Sequence, residues 1–138
     1  MATGPLLHSE LTEQVIGGFY AVYNDLGYGY LEAPYANALA VELGARGLVV
    51  KREVPVRIVY RGVPVGYYRY DMLVNGQIIV EVKANIALSN ADHRQLLNYL
   101  KAGNIEVGLL VNFGPEAKYV RKVNTGTPRY PRKSAKSA

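Results

Sequence analysis

The sequence predicts one mixed α/β (α+β) domain, in which helices flank a central mixed β-sheet in the order α-α-β-β-β-α-β. Three observations support this fold class. Apolar residues recur at helical spacing in residues 9–26. Two apolar runs flank Asn75-Gly76, the strongest short hairpin signature in the chain. Residues 105–112 are almost continuously apolar, which is typical of a strand buried on both faces.

The first two elements are predicted to be helices. Ser9 can cap a helix that continues to about Leu26, and Gly27 stands where a C-terminal glycine stop belongs. A second helix is expected from about Leu31 to Gly47. Both would present one apolar face to the rest of the domain.

The pattern then changes to strands, which we place at residues 48–60, 65–74 and 77–83. Ser89 and Asp92 form a capping-box-like pair that opens a third helix, ending at about Gly103. A helix between the hairpin and the buried strand permits a right-handed parallel crossover. Residues 118–123 can add a short edge strand.

Length and composition exclude several classes of protein. The 138 residues fit one domain, and 49% of them are hydrophobic, too many for a disordered chain. Cysteine is absent, so disulfides, thiolate metal sites and thiol nucleophiles are excluded. No apolar run approaches the length of a membrane helix, and no secretory signal is visible. We therefore expect a soluble, cytoplasmic protein that does not associate with membranes.

The positive charge is concentrated at the C-terminus. Residues 1–116 hold nine Lys/Arg and eleven Asp/Glu, a net of −2, whereas residues 117–138 hold seven Lys/Arg and no acid, a net of +7. We divide the chain into a domain at residues 1–123 and a basic, disordered tail at residues 124–138. Such a tail attracts polyanions without reading their sequence, or simply aids solubility.

One strand carries charge on a single face. Glu81 and Lys83 are two residues apart, so they point to the same side of the strand. Buried charges need a partner or a metal. Ile79 lies on the same face, which argues against a fully wet surface. An ordinary surface strand of alternating polarity remains the alternative.

Asp71 can join this face only in one hairpin register. A two-residue loop at Asn75-Gly76 would place Asp71 opposite Val80 and turn it away from Glu81. A three-residue loop, Val74-Asn75-Gly76, changes the register. This second register sorts charged from apolar residues, and we prefer it. One face then carries Arg69, Asp71, Ile79, Glu81 and Lys83, and the other carries Tyr70, Met72, Ile78, Val80 and Val82.

These residues suit phosphodiester chemistry assisted by a divalent cation. Mg²⁺ prefers hard oxygen ligands, which Asp71, Glu81 and the carbonyl of Val82 could supply. The ion would activate a water molecule and polarise the phosphate. Lys83 could orient that water or stabilise the developing negative charge.

The order of four motifs resembles a known superfamily. Asp71 and the Glu81-Val82-Lys83 triplet, followed by a helix and a buried strand, look like the PD-(D/E)XK nucleases, with Tyr70 in place of the proline of the motif name. Gln95 and Tyr99, at i and i+4, resemble the QxxxY element of the RecB-like branch. Residues 29–35 read as GxxExxY, the signature of a family within that superfamily.

The resemblance spans residues 9–123 and implies a restriction-endonuclease-like core with specific residue roles. Asp71 and Glu81 would be the central metal ligands, Glu32 a helical acid that helps to hold the metal, and Lys83 the catalytic lysine. The residues expected to orient the site or contact substrate are Gln95, Tyr99, Arg69 and Tyr35, although tyrosines such as Tyr35 and Tyr99 are more often core residues than ligands.

The expected function is therefore that of an Mg²⁺- or Mn²⁺-dependent nuclease that hydrolyses DNA, with RNA as the alternative substrate, through a metal-activated water. A homodimer or higher homo-oligomer is expected, because small nucleases often use two subunits. The alternative is a catalytically silent nuclease fold that binds nucleic acid or serves in assembly.

Overall fold

The computed structural model describes residues 8–124 of the protein. That part of the chain forms three helices and five strands. In order they are α1 (Ser9–Leu26), α2 (Glu32–Ala45), β1 (Val50–Tyr60), β2 (Val63–Val74), β3 (Ile78–Lys83), α3 (Asn90–Gly103), β4 (Val107–Phe113) and β5 (Ala117–Val123).

The five strands form one mixed sheet in the order β1-β2-β3-β4-β5. β3 and β4 are parallel, because α3 crosses between them, and every other neighbouring pair is antiparallel. The predicted fold class and element order are confirmed. β5 pairs with β4 along its whole length and adds the edge strand.

Helices cover both faces of the sheet. α1 and α2 pack on one face through Phe19, Tyr35 and Leu39, which are fully buried against apolar residues of β2, β3 and β4. α3 packs on the other face through Leu96, Tyr99 and Leu100. Two apolar cores therefore lie on opposite sides of one sheet, and β3 contributes side chains to both.

Two helix ends differ from the prediction. Ser9 is the first residue of α1 and does not cap it, because the N-cap is His8, which makes no side-chain cap hydrogen bond. The left-handed C-cap of α3 is Asn104, one residue beyond the expected glycine stop. Gly103 is the last helical residue, and a Cβ at this position would collide with the Tyr70 hydroxyl. The Ser89–Asp92 capping box is confirmed.

The β2–β3 hairpin has a three-residue loop, but not the expected one. Val74 pairs with Ile78, so the loop is Asn75-Gly76-Gln77. Asn75 and Gly76 both have positive φ, and the Gln77 N–H donates to the Val74 carbonyl at 2.9 Å. The predicted register is therefore displaced by two residues. A two-residue displacement preserves side-chain parity, so Ile79 and Val80 still face opposite sides as expected.

The expectation that Tyr70 shares a face with Met72 is wrong. Met72 packs with α1 and α2, whereas Tyr70 packs with α3. The side chains of β1 change faces opposite the same two residues. Arg52, which pairs with Met72, contacts Asn37 of α2, whereas Val54, which pairs with Tyr70, packs in the core under α3. Glu53, between those two, has a φ of 49°, and this left-handed residue interrupts the alternation of the strand.

The C-terminal basic segment is only partly described. Lys118, Arg121 and Lys122 belong to β5, and the Asn124 N–H donates to the Glu106 carbonyl at 2.7 Å. The predicted disordered tail lies outside the described residues except for Asn124. Within residues 8–124, no helix is long and apolar enough to cross a membrane.

Candidate metal centre and active site

Asp71 and Glu81 are linked by two hydrogen bonds between side chain and backbone. The Asp71 N–H donates to Glu81 Oε2 at 2.8 Å, and the Val82 N–H donates to Asp71 Oδ2 at 2.7 Å. The β2–β3 pairing ends at Met72 and Val80, immediately before the two acids. The carboxylates therefore accept hydrogen bonds from backbone amides at the point where the strands part.

Glu81 is a buried acid in β3, whose other residues except Lys83 are apolar. Only 4% of its surface is exposed. Burial, and then repulsion from Asp71, raises the pKa of Glu81 to about 8, although the Asp71 amide and Lys83 act in the opposite direction. Since burial is the largest cause, the raised pKa shows that the ionised carboxylate is poorly solvated here, and a nearby positive charge would stabilise it.

The pKa values of Asp71 and Glu32 are raised as well. Burial is the main cause of a raised pKa at Asp71, opposed by the Val82 amide and by Lys83. Glu32 begins α2 and is exposed as a residue, yet partial desolvation of its carboxyl raises its pKa, and Asp71 adds to the effect. These mutual influences place Glu32 on the same side of the molecule as the acidic pair.

The expected convergence of three carboxylates at one point is not found. Among residues 8–124, no three His, Asp or Glu side chains lie close enough together to hold a metal ion. Asp71 and Glu81 are held beside each other by their hydrogen bonds to backbone amides, and Glu32 does not complete a three-carboxylate cluster with them.

Lys83 is the last residue of β3, on the same face as Glu81, and its side chain reaches α3. Its Nζ donates to Gln95 Oε1 at 3.2 Å and lies 3.8 Å from Asp92 Oδ1. The side chains of Lys83 and Asp92 are 18% and 15% exposed, so this contact is largely shielded from water. α3 therefore fixes the position of the lysine beside the acidic pair.

Tyr99 lies one helical turn beyond Gln95 and is 7% exposed. Burial raises the pKa of Tyr99 to about 12, and Glu81 is the next largest cause. Its ring lies 5.9 Å from that of Tyr68 and 5.8 Å from that of Tyr70. Tyr99 therefore belongs to the α3 core and is also electrostatically coupled to the acidic pair.

Two expected substrate-contacting residues lie elsewhere. Tyr35 is fully buried and stacks on Phe113 at 4.2 Å, and its hydroxyl donates to the Gly27 carbonyl. Arg69 is exposed on β2 and pairs with Glu53 at 3.3 Å. The structure brings together Asp71, Glu81, Val82, Lys83, Gln95 and Tyr99, with Glu32 nearby.

Sequence reasoning missed two charged contributors. Asp92 was identified only as a helix cap, yet it also contacts Lys83. Arg52 lowers the pKa of Asp71 and is held by Asn37 at 3.0 Å. The three-residue spacing of Asp92 and Gln95 on one helical face could have revealed the first. No sequence pattern pointed to Arg52, because its position depends on the neighbouring strand.

The donor set fits a divalent cation. Asp71 and Glu81 offer hard carboxylate oxygens, and within residues 8–124 only one oxygen of each accepts a hydrogen bond. The raised pKa values at both acids indicate that added positive charge would be stabilising. The Val82 N–H, held by Asp71, keeps the Val82 main chain beside the pair.

Comparison with known proteins gives one family match. The family model for the PD-(D/E)XK nuclease superfamily matches residues 9–123. Comparison with curated protein sequences gives no match. The crystal structure of SSO0001 is similar at 24% identity and a TM-score of 0.49, covering 84% of this chain. The chain spans 58% of the length of that protein.

Proposed function

Because the chain belongs to the PD-(D/E)XK nuclease superfamily, we propose that it is a metal-dependent nuclease with its active site at Asp71, Glu81 and Lys83. The observation that supports this most strongly is the reciprocal anchoring of the two acids where β2 and β3 part. Anchored carboxylates with raised pKa values, next to an oriented lysine, are typical of a functional site rather than of a structural ion pair.

Each residue has a distinct task in the proposed reaction. Asp71 and Glu81 hold the cation, with the main chain of Val82 beside them. When bound, the cation supplies Lewis-acid charge at the phosphate and makes water a better nucleophile at neutral pH. Lys83 holds positive charge where negative charge develops on the phosphate, and Gln95 and Asp92 keep its Nζ in place.

We also propose the identity of the cation, the substrate, the family and the assembly. Mg²⁺ or Mn²⁺ is the proposed cation, since both prefer oxygen ligands. DNA is the preferred substrate over RNA, and the chain is assigned to the GxxExxY family of the RecB-like branch. A homodimer is supported by apolar side chains that the β1–β2 hairpin exposes to solvent, which are Tyr60, Val63, Val65 and Tyr67.

A cleavage assay tests the proposal directly. Labelled single-stranded, double-stranded and branched DNA, and RNA, are incubated with the protein in Mg²⁺, in Mn²⁺ and in chelator. We expect cleavage only with a divalent cation. Lys83→Ala should lower the rate by about 100-fold or more, because charge stabilisation at the phosphate is lost. Lys51→Ala, an exposed lysine on β1, is the matched control.

Three results would contradict the proposal. Cleavage that persists in chelator would remove the cation from the reaction, and wild-type rates in Lys83→Ala would remove the lysine. If the protein binds DNA but cleaves no substrate with either cation, the catalytically silent alternative replaces it.

A further inference from the structure

A groove separates the β1–β2 hairpin from α3 and leads to the proposed active site. Its volume is about 790 Å³. Arg57 and Tyr68 line the hairpin wall, and Arg94, Gln95, Tyr99 and Lys101 line the helix wall. Gln95 lines the groove and accepts the hydrogen bond from Lys83, so the groove borders the proposed active site at this residue.

The charged residues that line the groove are all basic. Arg57, Arg94 and Lys101 are exposed, and no lining residue among those described is acidic. Within residues 8–124, none of the three forms a salt bridge. These cations lie on both walls, whereas the adjoining active site is acidic. The groove is therefore suited to a polyanion that continues into the site.

The groove also contains an accessible aromatic face. Tyr68 is 51% exposed, although its neighbour across the groove, Tyr99, is almost buried. The two rings lie 5.9 Å apart with an interplanar angle of 46°, so Tyr99 supports one side of Tyr68 and leaves ring surface open. Cations on both walls with an aromatic ring between them are the arrangement by which proteins hold single strands.

We propose that this groove binds single-stranded nucleic acid and delivers it to Asp71, Glu81 and Lys83, with Tyr68 stacking on an unpaired base. This inference rests on the proposed nuclease function and specifies its substrate class. Arg57, Arg94 and Lys101 contact the phosphates. A duplex is disfavoured, because its bases are stacked on one another and offer no free face to Tyr68.

Binding is measured by fluorescence anisotropy in chelator, using the full chain and labelled oligonucleotides of about 12 nucleotides, within the range that such sites cover. Single-stranded DNA, RNA of the same sequence and the DNA duplex are compared. Tyr68→Ala should weaken single-strand binding by about five- to tenfold, as expected for one lost stacked base, and should leave duplex binding within about twofold. Tyr68→Phe should bind like the wild type.

Matched controls separate the groove from its surroundings. Tyr28→Ala removes a tyrosine of similar exposure, 53%, from the loop between α1 and α2, which does not line the groove, and should change binding little. Arg94→Glu alters an exposed helix position without removing core volume. It should weaken binding and lower the salt slope by at least about 0.7, the contribution of one phosphate contact in a single strand. Arg61→Ala, a turn residue outside the groove, is its control.

The outcomes distinguish this inference from the proposed function. Single-strand binding that depends on Tyr68 and Arg94 supports the groove, even if no cleavage occurs and the nuclease proposal fails. Wild-type affinity in both Tyr68→Ala and Arg94→Glu, in a protein that still cleaves DNA, overturns the groove and leaves the nuclease. If Tyr68→Ala loses as much affinity for the duplex as for single strands, the proposal that the groove binds single strands is also overturned.

Discussion

The two faces of β3 contrast within six residues. Ile78, Val80 and Val82 are buried among apolar side chains of α1, α2 and the neighbouring strands. The opposite face, towards α3, carries Ile79, then Glu81, then Lys83. One side of the same strand is uniformly apolar, and the other becomes progressively charged towards its C-terminal end.

The two faces of β3 therefore contribute differently: one stabilises the fold, and the other carries the residues of the candidate site. The face towards α1 and α2 gains from burial of apolar surface, whereas burial of Glu81 on the other face is unfavourable to its ionised form. We infer that the α3 side gives up stability to keep carboxylates and a lysine together. Substitutions on the two faces should therefore have opposite consequences.

The largest expected change in stability is on the apolar face. Leu39→Ala removes a fully buried side chain of α2 and should lower the free energy of unfolding by about 3 kcal/mol, the sum of lost burial and a cavity. Val41→Ala, 74% exposed on the same helix, should change stability little. Urea denaturation measures both. Equal costs at the two positions would contradict the assignment of this face to stability.

The next largest effect has the opposite sign. The pKa of Glu81 in the folded protein, about 8, lies above the ordinary glutamic acid value of 4.5, so the stability this group contributes is full below about pH 4.5 and is lost as pH rises through 8. Glu81→Gln removes that loss and keeps an oxygen for the Asp71 amide. In chelator at pH 8 the variant should be about 2 kcal/mol more stable than wild type, with little difference at pH 4.5.

Thermal unfolding across that pH range tests the prediction, with the exposed acid variant Glu106→Gln as control. A variant less stable than wild type at pH 8 would show that ionised Glu81 stabilises the fold. The face towards α3 would then stabilise the fold, as the apolar face does.

The smallest expected effect is the coupling between two residues that pack closely beside the site, Gly103 and Tyr70. Gly103→Ala places a methyl group against the Tyr70 hydroxyl and should cost about 1–3 kcal/mol. In a Tyr70→Phe background the cost should fall by about 1 kcal/mol, because part of the clash is removed. Gly44→Ala, in α2 with open space around it, should be neutral or stabilising. Chemical denaturation of all four variants and the wild type gives the coupling. Additive costs would show that Tyr70 does not restrict residue 103.

Local patterns predicted most of the fold, and tertiary geometry explains the remainder. The helices, strands and shared face of Glu81 and Lys83 follow from periodicity, which is a property of short segments. The side change at Tyr70 could not be predicted, since it depends on the left-handed Glu53 of the adjacent strand. The hairpin loop length was predicted correctly, but its placement was wrong because Gln77 joins the loop.

The candidate site was predictable to a similar degree. Asp71, Glu81 and Lys83 followed from register parity, which survived the displaced hairpin register. The burial of Tyr35 and the contact of Asp92 with Lys83 were not predictable, because both depend on how helices dock on the sheet. The exposed Tyr68 beside Tyr99 likewise required the position of α3 relative to the hairpin.

The central claim is that Asp71 and Glu81 together hold a divalent cation on the α3 side of the sheet. Titration with Mn²⁺, followed by electron paramagnetic resonance of the free ion, tests it without any substrate. The wild type should bind an ion that Mg²⁺ displaces, Asp71→Asn and Glu81→Gln should each lose that site, and Glu106→Gln should retain it. Equal Mn²⁺ binding by the wild type and both site variants would contradict the claim.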